Sequence, residues 1–343
     1  MNYAVITKVK AMYGKRFTDD DFSRLCDCRS IEECATYLKS HPAYTRAFDG
    51  TELRGIRLSR IEILLKLEYC LEFERLVKGL SEKERTLVQM FIGTYELDFI
   101  LWALRNIGLN PLEKATFATL YEPLIRKYSK ADYDMLINSQ SRNQVIDALH
   151  GQYRAVIEKL LTSDGSIDYL TAENELWKAY YRNIADYIKK NCKKDDFAAL
   201  FGTSVDIYNI LRIFRLREYF DYPADEIIPF IIRPMYRLTD ETTAKLCSST
   251  GKKEFDAVLR DTPYKKLAET AAGEDIETLA GKILTEKAGK TLHFSKSAPA
   301  VIYSYMICKS REIDKIKTVI ESVRYNLSRE MIESYVGTKA KAD

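Results

Sequence analysis

The sequence predicts an all-α protein made of three pseudo-equivalent helical domains, residues 1–112, 113–221 and 222–343. Three observations predict it: a shortage of chain-breaking residues, apolar residues at helical spacing, and two patterns that each occur three times at one period. Gly occurs 14 times and Pro 8 times in 343 residues, against average usages of roughly 7% and 5%. Few turns are available, so the helices are long. The segments 58–77 (LSRIEILLKLEYCLEFERLV) and 168–190 (DYLTAENELWKAYYRNIADYIKK) repeat apolar residues at threes and fours, which lines one helical face with core residues.

In chain order, Thr18 followed by Asp19, Asp20 and Asp21 reads as a helix N-terminus, where acids meet the positive end of the dipole. A Mg²⁺ site is the alternative reading of the same acids. The first repeated pattern starts at Leu25 (LCDCRSIEECATYLKSHPAY), Leu136 (LINSQSRNQVIDALHGQY) and Leu246 (LCSSTGKKEFDAVLRDTPY). Each copy has a second Leu thirteen residues on, at Leu38, Leu149 and Leu259, then an aromatic at Tyr44, Tyr153 and Tyr264. Pro42 and Pro263 would end the second helix. The unit is a short helix, a polar turn, a second helix and a stop. Ser30 with Glu33 and Ser81 with Glu84 are capping-box pairs.

The second pattern is Ser/Thr, any residue, acid, Leu/Ile, two residues, Ile. It occurs at Thr94 to Ile100, Ser204 to Ile210 and Ser310 to Ile316. A hydroxyl followed by an acid is the chemistry of a helix start, so Glu96, Asp206 and Glu312 are each expected in a first turn. The spacing from Leu25 to Leu136 is 111 residues and from Leu136 to Leu246 it is 110; the acids are separated by 110 and 106. A solenoid unit runs to roughly 20–50 residues, so this period implies a small domain. Three such domains packed through one kind of interface make a ring or an arc. The segment 162–166 reads as an interior loop, and 337–343 as a frayed tail.

Several function classes are excluded by composition. Lys and Arg total 53 against 50 Asp and Glu, a net charge of +3, which provides no global field for nucleic acid or an anionic membrane. Lys8 and Lys10 interrupt any apolar signal core. The longest uncharged apolar run, 297–308, has twelve residues where about twenty cross a bilayer, so no membrane span is expected. Seven cysteines without CxxC spacing suit free thiols rather than disulfides or a metal centre.

No GxxxxGK, GxGxxG, GxSxG or HExxH motif occurs. His41, His150 and His293 are far apart in sequence. The basic runs at Lys189-Lys190 with Lys193-Lys194, at Arg212 to Arg217 and at Lys252-Lys253 have acids close by. Neither catalytic nor metal-binding nor cofactor-binding residues are expected, and neither nucleic acid nor nucleotide is an expected ligand. The 23 tyrosines suit both core packing and protein interfaces.

The segments SVDIYNILRIFR (204–215) and TYELDFILWALR (94–105), with Tyr3-Ala4, Lys10-Ala11, Phe17 and the IIPF of 227–230, resemble the C subunit of the archaeal and bacterial V-type (A/V-type) ATPases. This is the family of the d subunit of the eukaryotic vacuolar ATPase, and the resemblance covers nearly the whole chain. It implies an all-helical, three-lobed funnel without an active site or cofactor, placed between the central stalk, made of the D and F subunits, and the membrane rotor ring of proteolipid subunits. It also implies a cytoplasmic location, peripheral to the cell membrane through the complex, and a role in passing torque between ATP turnover and ion transport. Lys10 stands where the family usually has Arg. Arg105 and Arg215, each nine residues after an acid, occupy matched positions in two copies and are candidates for orienting contacts with a partner; the third copy has Glu321. A helical scaffold for an unrelated protein is the other reading.

Overall fold

The computed structural model describes residues 3–110, Lys114, 122–191, 195–269 and 275–337. Cys192, Lys193, Lys194, the 112/113 domain boundary and the tail from residue 338 lie outside the described residues. Helix makes up 73% of the structure, and no strand occurs among the described residues. The all-α class is therefore observed. The chain divides into two compact units, one formed by Met1–Glu82 with Tyr305–Asp343 and the other by Lys83–Ser304.

In the first unit, Thr18 caps the helix Asp19–Cys26. Its hydroxyl accepts from the Asp21 N–H at 3.2 Å, and the Asp21 carboxylate accepts from the Thr18 N–H at 2.8 Å, a reciprocal capping box. The acids at 19–21 thus serve a helix start. Ser30 caps Ile31–Ser40 by accepting from Glu33 N–H at 3.1 Å. The Glu33 carboxylate reaches one residue beyond the expected box and accepts from the Arg29 N–H at 2.7 Å. The long helix Leu58–Val77 has the bounds expected from its periodicity. Its Ile61 and Leu65 bury against Leu25, Leu38, Tyr44 and Phe48, together with Ile316, Val319 and Ile320 from the helix Ala298–Arg324. Apolar burial is worth about 25 cal/mol per Å², so this core holds the two ends of the chain in one unit.

The second unit contains, among others, the helices Gly93–Arg105, Tyr133–Asn138, Arg142–Asp147, Tyr169–Asn191, Asp196–Glu218, Asp240–Ser248, Lys252–Arg260 and Ile276–Phe294. Residues 162–166 form the expected loop, closed by Gly165 N–H to Thr162 O at 2.9 Å, with Gly165 at φ +76°, a conformation glycine adopts without strain. Two stretches, Glu82–Arg105 and Asp196–Glu218, are long and apolar enough to cross a membrane by length and composition, and 61% of an apolar 18-residue part of each is buried inside the protein. Ile207, Ile210 and Ile213 of the second stretch pack into the core with Leu246, Phe255 and Leu259. Their apolar character is accounted for by protein packing.

The repeated unit is visible atom by atom. Leu25, Leu136 and Leu246 are each 0% exposed, as are Leu38, Leu149 and Leu259. In each copy the turn between the two short helices is closed by one backbone-to-side-chain bond at the same place. Arg29 N–H donates to Glu33, Gln140 N–H to Gln144 and Thr250 N–H to Glu254, at 2.7, 2.6 and 2.7 Å.

The expected helix starts need correction. Asp206 lies in the middle of Asp196–Glu218, whose N-cap is Asp195 accepting from Phe197 N–H at 3.0 Å. Glu312 lies in the middle of Ala298–Arg324. Only Glu96 stands in a first turn. Neither Ser204 nor Thr94 caps a helix: Ser204 donates back to Leu200 O at 3.1 Å, the mid-helix use of Ser and Thr, and Thr94 donates to Phe91 O at 3.2 Å in the turn before its helix.

Candidate functional site

The three acids act as clasps between one copy of the pattern and the next. Asp206 accepts the N–H groups of Tyr236 at 2.8 Å, Arg237 at 2.6 Å and Leu238 at 2.9 Å, and the Tyr264 hydroxyl at 2.6 Å. It is fully buried. Glu312 accepts from Phe17 N–H at 3.0 Å and from the Tyr44 hydroxyl at 2.5 Å. Glu96 accepts from the Ser129 hydroxyl at 2.6 Å, whose oxygen accepts in turn from the Ala131 N–H at 2.9 Å. Burial pushes the Glu96 carboxyl above its ordinary value, opposed by the Ser129 hydroxyl and the nearby backbone of Lys130 and Ala131. In all three cases a donor lies in the segment leading into the next copy's first short helix, and for Asp206 and Glu312 the tyrosine after that copy's second short helix adds a hydroxyl. The acid of copy one holds copy two, that of copy two holds copy three, and that of copy three holds copy one. The carboxylate is acceptor-only, so its lone pairs are spent on positioning backbone.

Around Glu312 the first unit builds a larger polar network. Lys309 Nζ lies 3.0 Å from Glu312 and 3.8 Å from Glu72, and stands 4.0 Å over the Tyr44 ring. Tyr305 donates to Glu72 at 2.8 Å. Arg46 reaches Glu68 Oε1 at 3.1 Å, while the other Glu68 oxygen is buried without a partner. Glu68, Glu72, Lys309 and Glu312 are all at most 8% exposed. Burial pushes the Glu72 carboxyl up to about 7, against the pull of Lys309 and the Tyr305 hydroxyl. Burial and the adjacent Glu312 carboxylate together raise the Tyr44 hydroxyl well above its ordinary value.

Arg105 ends the helix Gly93–Arg105 and pairs with Glu173 at 2.8 Å; Arg215, in the last turn of Asp196–Glu218, pairs with Glu277 at 2.5 Å. Both arginine side chains are about half exposed, at 53% and 51%. Exposed pairs of this kind contribute about 0–1 kcal/mol, so neither arginine is needed for folding. The structure does not bring the two together into one site.

The other two arginines of the 212–217 run are used internally. Arg212 bonds the Tyr208 hydroxyl at 2.9 Å and Arg217 donates to Tyr222 O and Ser249 O. His41 packs against Phe17, accepts from Ala43 N–H at 3.2 Å and lies 3.6 Å from Asp21. Among the described residues no group of three or more His, Cys, Asp or Glu side chains is placed to hold a metal ion.

Sequence reasoning missed two features. Lys309 and Glu72 become partners only through the fold, and no spacing pattern marks them. The second is a cation that caps the repeated turn from outside: buried Lys114 donates to Ser139 O at 2.6 Å, and Arg217 Nη2 to Ser249 O at 2.8 Å. Ser139 and Ser249 share one repeat position, which could have pointed to a common partner.

The family model for the ATP synthase (C/AC39) subunit matches residues 5–335. The chain is 24% identical over 345 residues to the C subunit of the A-type ATP synthase of Methanosarcina mazei, covering 97% of this chain and 92% of the relative. It is 25% identical to that of Methanosarcina acetivorans, with the same coverage. It is 23% identical over 348 residues to that of Pyrococcus horikoshii, covering 97% and 89%. The matched span takes in all three clasping acids and both arginines, and the chain belongs to the ATP synthase (C/AC39) subunit family.

Proposed function

We propose that the chain is a non-catalytic central-stalk component of a V-type (A-type) rotary ATPase or ATP synthase, linking the D/F shaft to the membrane rotor ring of proteolipid subunits. In this reading it passes torque between ATP turnover and ion transport, and it sits in the cytoplasm, peripheral to the cell membrane. Its three helical domains, residues 1–112, 113–221 and 222–343, form a funnel or ring, and Arg105 and Arg215 orient partners on it.

The observation that carries the reading is the cyclic order of the clasps. A link under torque has to resist separation of its parts, and each clasp supplies charge-assisted hydrogen bonds, roughly twice as strong as neutral ones, where one copy meets the next. The bond from Phe17 N–H to Glu312 spans 295 positions and supports a closed repeat rather than an open one. Family membership and the three A-type relatives support the choice of complex.

The test is a bridging experiment. With this chain present, tagged D and F should retain the detergent-solubilised ring on an affinity column; without it they should not. Retention of the ring in its absence would refute the linking role.

A further inference from the structure

The clasp of copy one lacks two groups that the other two clasps have. Tyr44 and Tyr264 donate to Glu312 and Asp206, whereas Glu96 has the Ser129 hydroxyl as its donor and receives no bond from Tyr153 among the described residues. The other two acids also have a lysine ammonium at hand. Lys309, three residues before Glu312, lies 3.0 Å from that carboxylate and 4.0 Å over the Tyr44 ring. Thr203, three residues before Asp206, accepts from Lys287 Nζ at 2.5 Å. Lys287 stands 5.8 Å over the Tyr236 ring and feels the attraction of Asp206.

Neither lysine has a counterpart in copy one. Three residues before Glu96 stands Gly93, where a Cβ would meet Tyr180 Cε2 at 2.7 Å and the Tyr153 hydroxyl at 3.4 Å. Two aromatic rings thus close over bare backbone at the position where Lys309 carries its charge. Lys287 lies ten residues after Glu277, the partner of Arg215; ten residues after Glu173, the partner of Arg105, stands Asn183.

A cavity of about 400 Å³ lies at this incomplete clasp, within the unit Lys83–Ser304. Glu96, Tyr153, Tyr180 and Asn183 line it, and Met90 and Ile184 add apolar wall. Glu96 is its one acid among the described residues. Lys130 also lines the cavity, but its side chain is exposed and forms no ion pair with Glu96 among the described residues. Burial holds the Glu96 carboxyl above its ordinary value, and a cation beside it would favour the ionised form. Hard cations such as Ca²⁺ take about six to eight oxygen ligands, more than one carboxylate supplies. An alkylammonium suits the lining better, because aromatic faces attract its charge and the apolar wall covers its carbon chain.

We propose that this cavity binds a free aliphatic primary amine, whose ammonium donates to Glu96 and faces the Tyr153 and Tyr180 rings. The bound ammonium takes the place that Lys309 and Lys287 hold at the other two clasps, and so completes the joint between copies one and two. The site stands whether or not the chain links shaft to ring.

The test is calorimetric titration of the full chain with n-butylamine, and with n-butanol as the uncharged control, in potassium buffer. The amine should bind saturably at one site and the alcohol should not. Glu96→Gln removes the charge that holds the ammonium. Asn183→Lys brings the chain's own ammonium to the position that Lys287 occupies in the next copy; Asn183 is exposed, so this variant decides the matter even if Glu96→Gln does not fold. Each should weaken amine binding about tenfold or more, the loss of one charge-assisted hydrogen bond. No amine binding by the native chain, equal binding of amine and alcohol, or unchanged affinity in Asn183→Lys would overturn the proposal.

Discussion

The hydroxyl of Tyr44 donates to Glu312, 268 positions away, at 2.5 Å. Tyr264 donates to Asp206 at 2.6 Å in the same relation within the other unit. Each tyrosine is the aromatic that closes a copy of the repeated helical pair, and each acid belongs to the long helix of the preceding copy in cyclic order.

Tyr44→Phe keeps the buried ring and removes only this bond. A hydrogen bond to a charged group contributes about 1.5–3 kcal/mol, so the variant should lose about 2 kcal/mol in chemical denaturation followed by circular dichroism. Tyr264→Phe should lose a similar amount. Wild-type midpoints for both would mean the clasps do not hold.

Asp206 offers a harsher perturbation. Its Oδ2 accepts from Arg237 N–H, Leu238 N–H and the Tyr264 hydroxyl, and its Oδ1 from Tyr236 N–H. Asp206→Ala leaves four donors without this acceptor and should cost about 3 kcal/mol or more. Asp206→Asn should also destabilise, by about 2 kcal/mol, because an amide has one acceptor oxygen and would point its own N–H groups at donors. A neutral asparagine variant would contradict the geometry.

Glu72 predicts a pH dependence. Its folded carboxyl titrates at about 7, above the ordinary 4.5, so the folded protein holds a proton that the unfolded chain has released. The groups facing it are Lys309, Tyr305, Glu68 and Glu312. Stability from this group is full below about pH 4.5 and falls as pH rises to about 7, by up to about 3 kcal/mol. Melting temperature plotted against pH should fall across that window for the native chain and less steeply for Glu72→Gln. Parallel curves would remove Glu72 as the cause.

Gly202 separates packing from propensity. It lies inside the helix Asp196–Glu218, where alanine would ordinarily gain about 1 kcal/mol. A Cβ there would stand 2.6 Å from both Cβ and Cγ of Tyr236, atoms too close to the backbone to swing away. Gly202→Ala should therefore destabilise, by about 1–3 kcal/mol; a gain in melting temperature would show that the 235–238 segment yields easily.

Periodicity made most of the fold legible. The bounds of Leu58–Val77 were readable from apolar spacing, and Tyr169–Asn191 to within a residue at either end. The three short-helix pairs were readable because Leu25, Leu136 and Leu246 carry local signals of burial and capping. Glu96 was placed correctly, but Asp206 and Glu312 were visible as a pattern and misplaced, because Ser/Thr-x-acid is locally the same chemistry whether it starts a helix or sits in its middle. What decides is the donor set, and for Asp206 and Glu312 that set lies 30 to 295 positions away.

The central claim is mechanical coupling, and it is tested most directly by measuring ATP hydrolysis and ATP-driven ion uptake together in vesicles bearing the reconstituted complex, with and without this chain. The account predicts that omitting the chain leaves hydrolysis by the soluble head in place and abolishes uptake, and that adding it back restores uptake. Undiminished uptake in its absence would contradict the account.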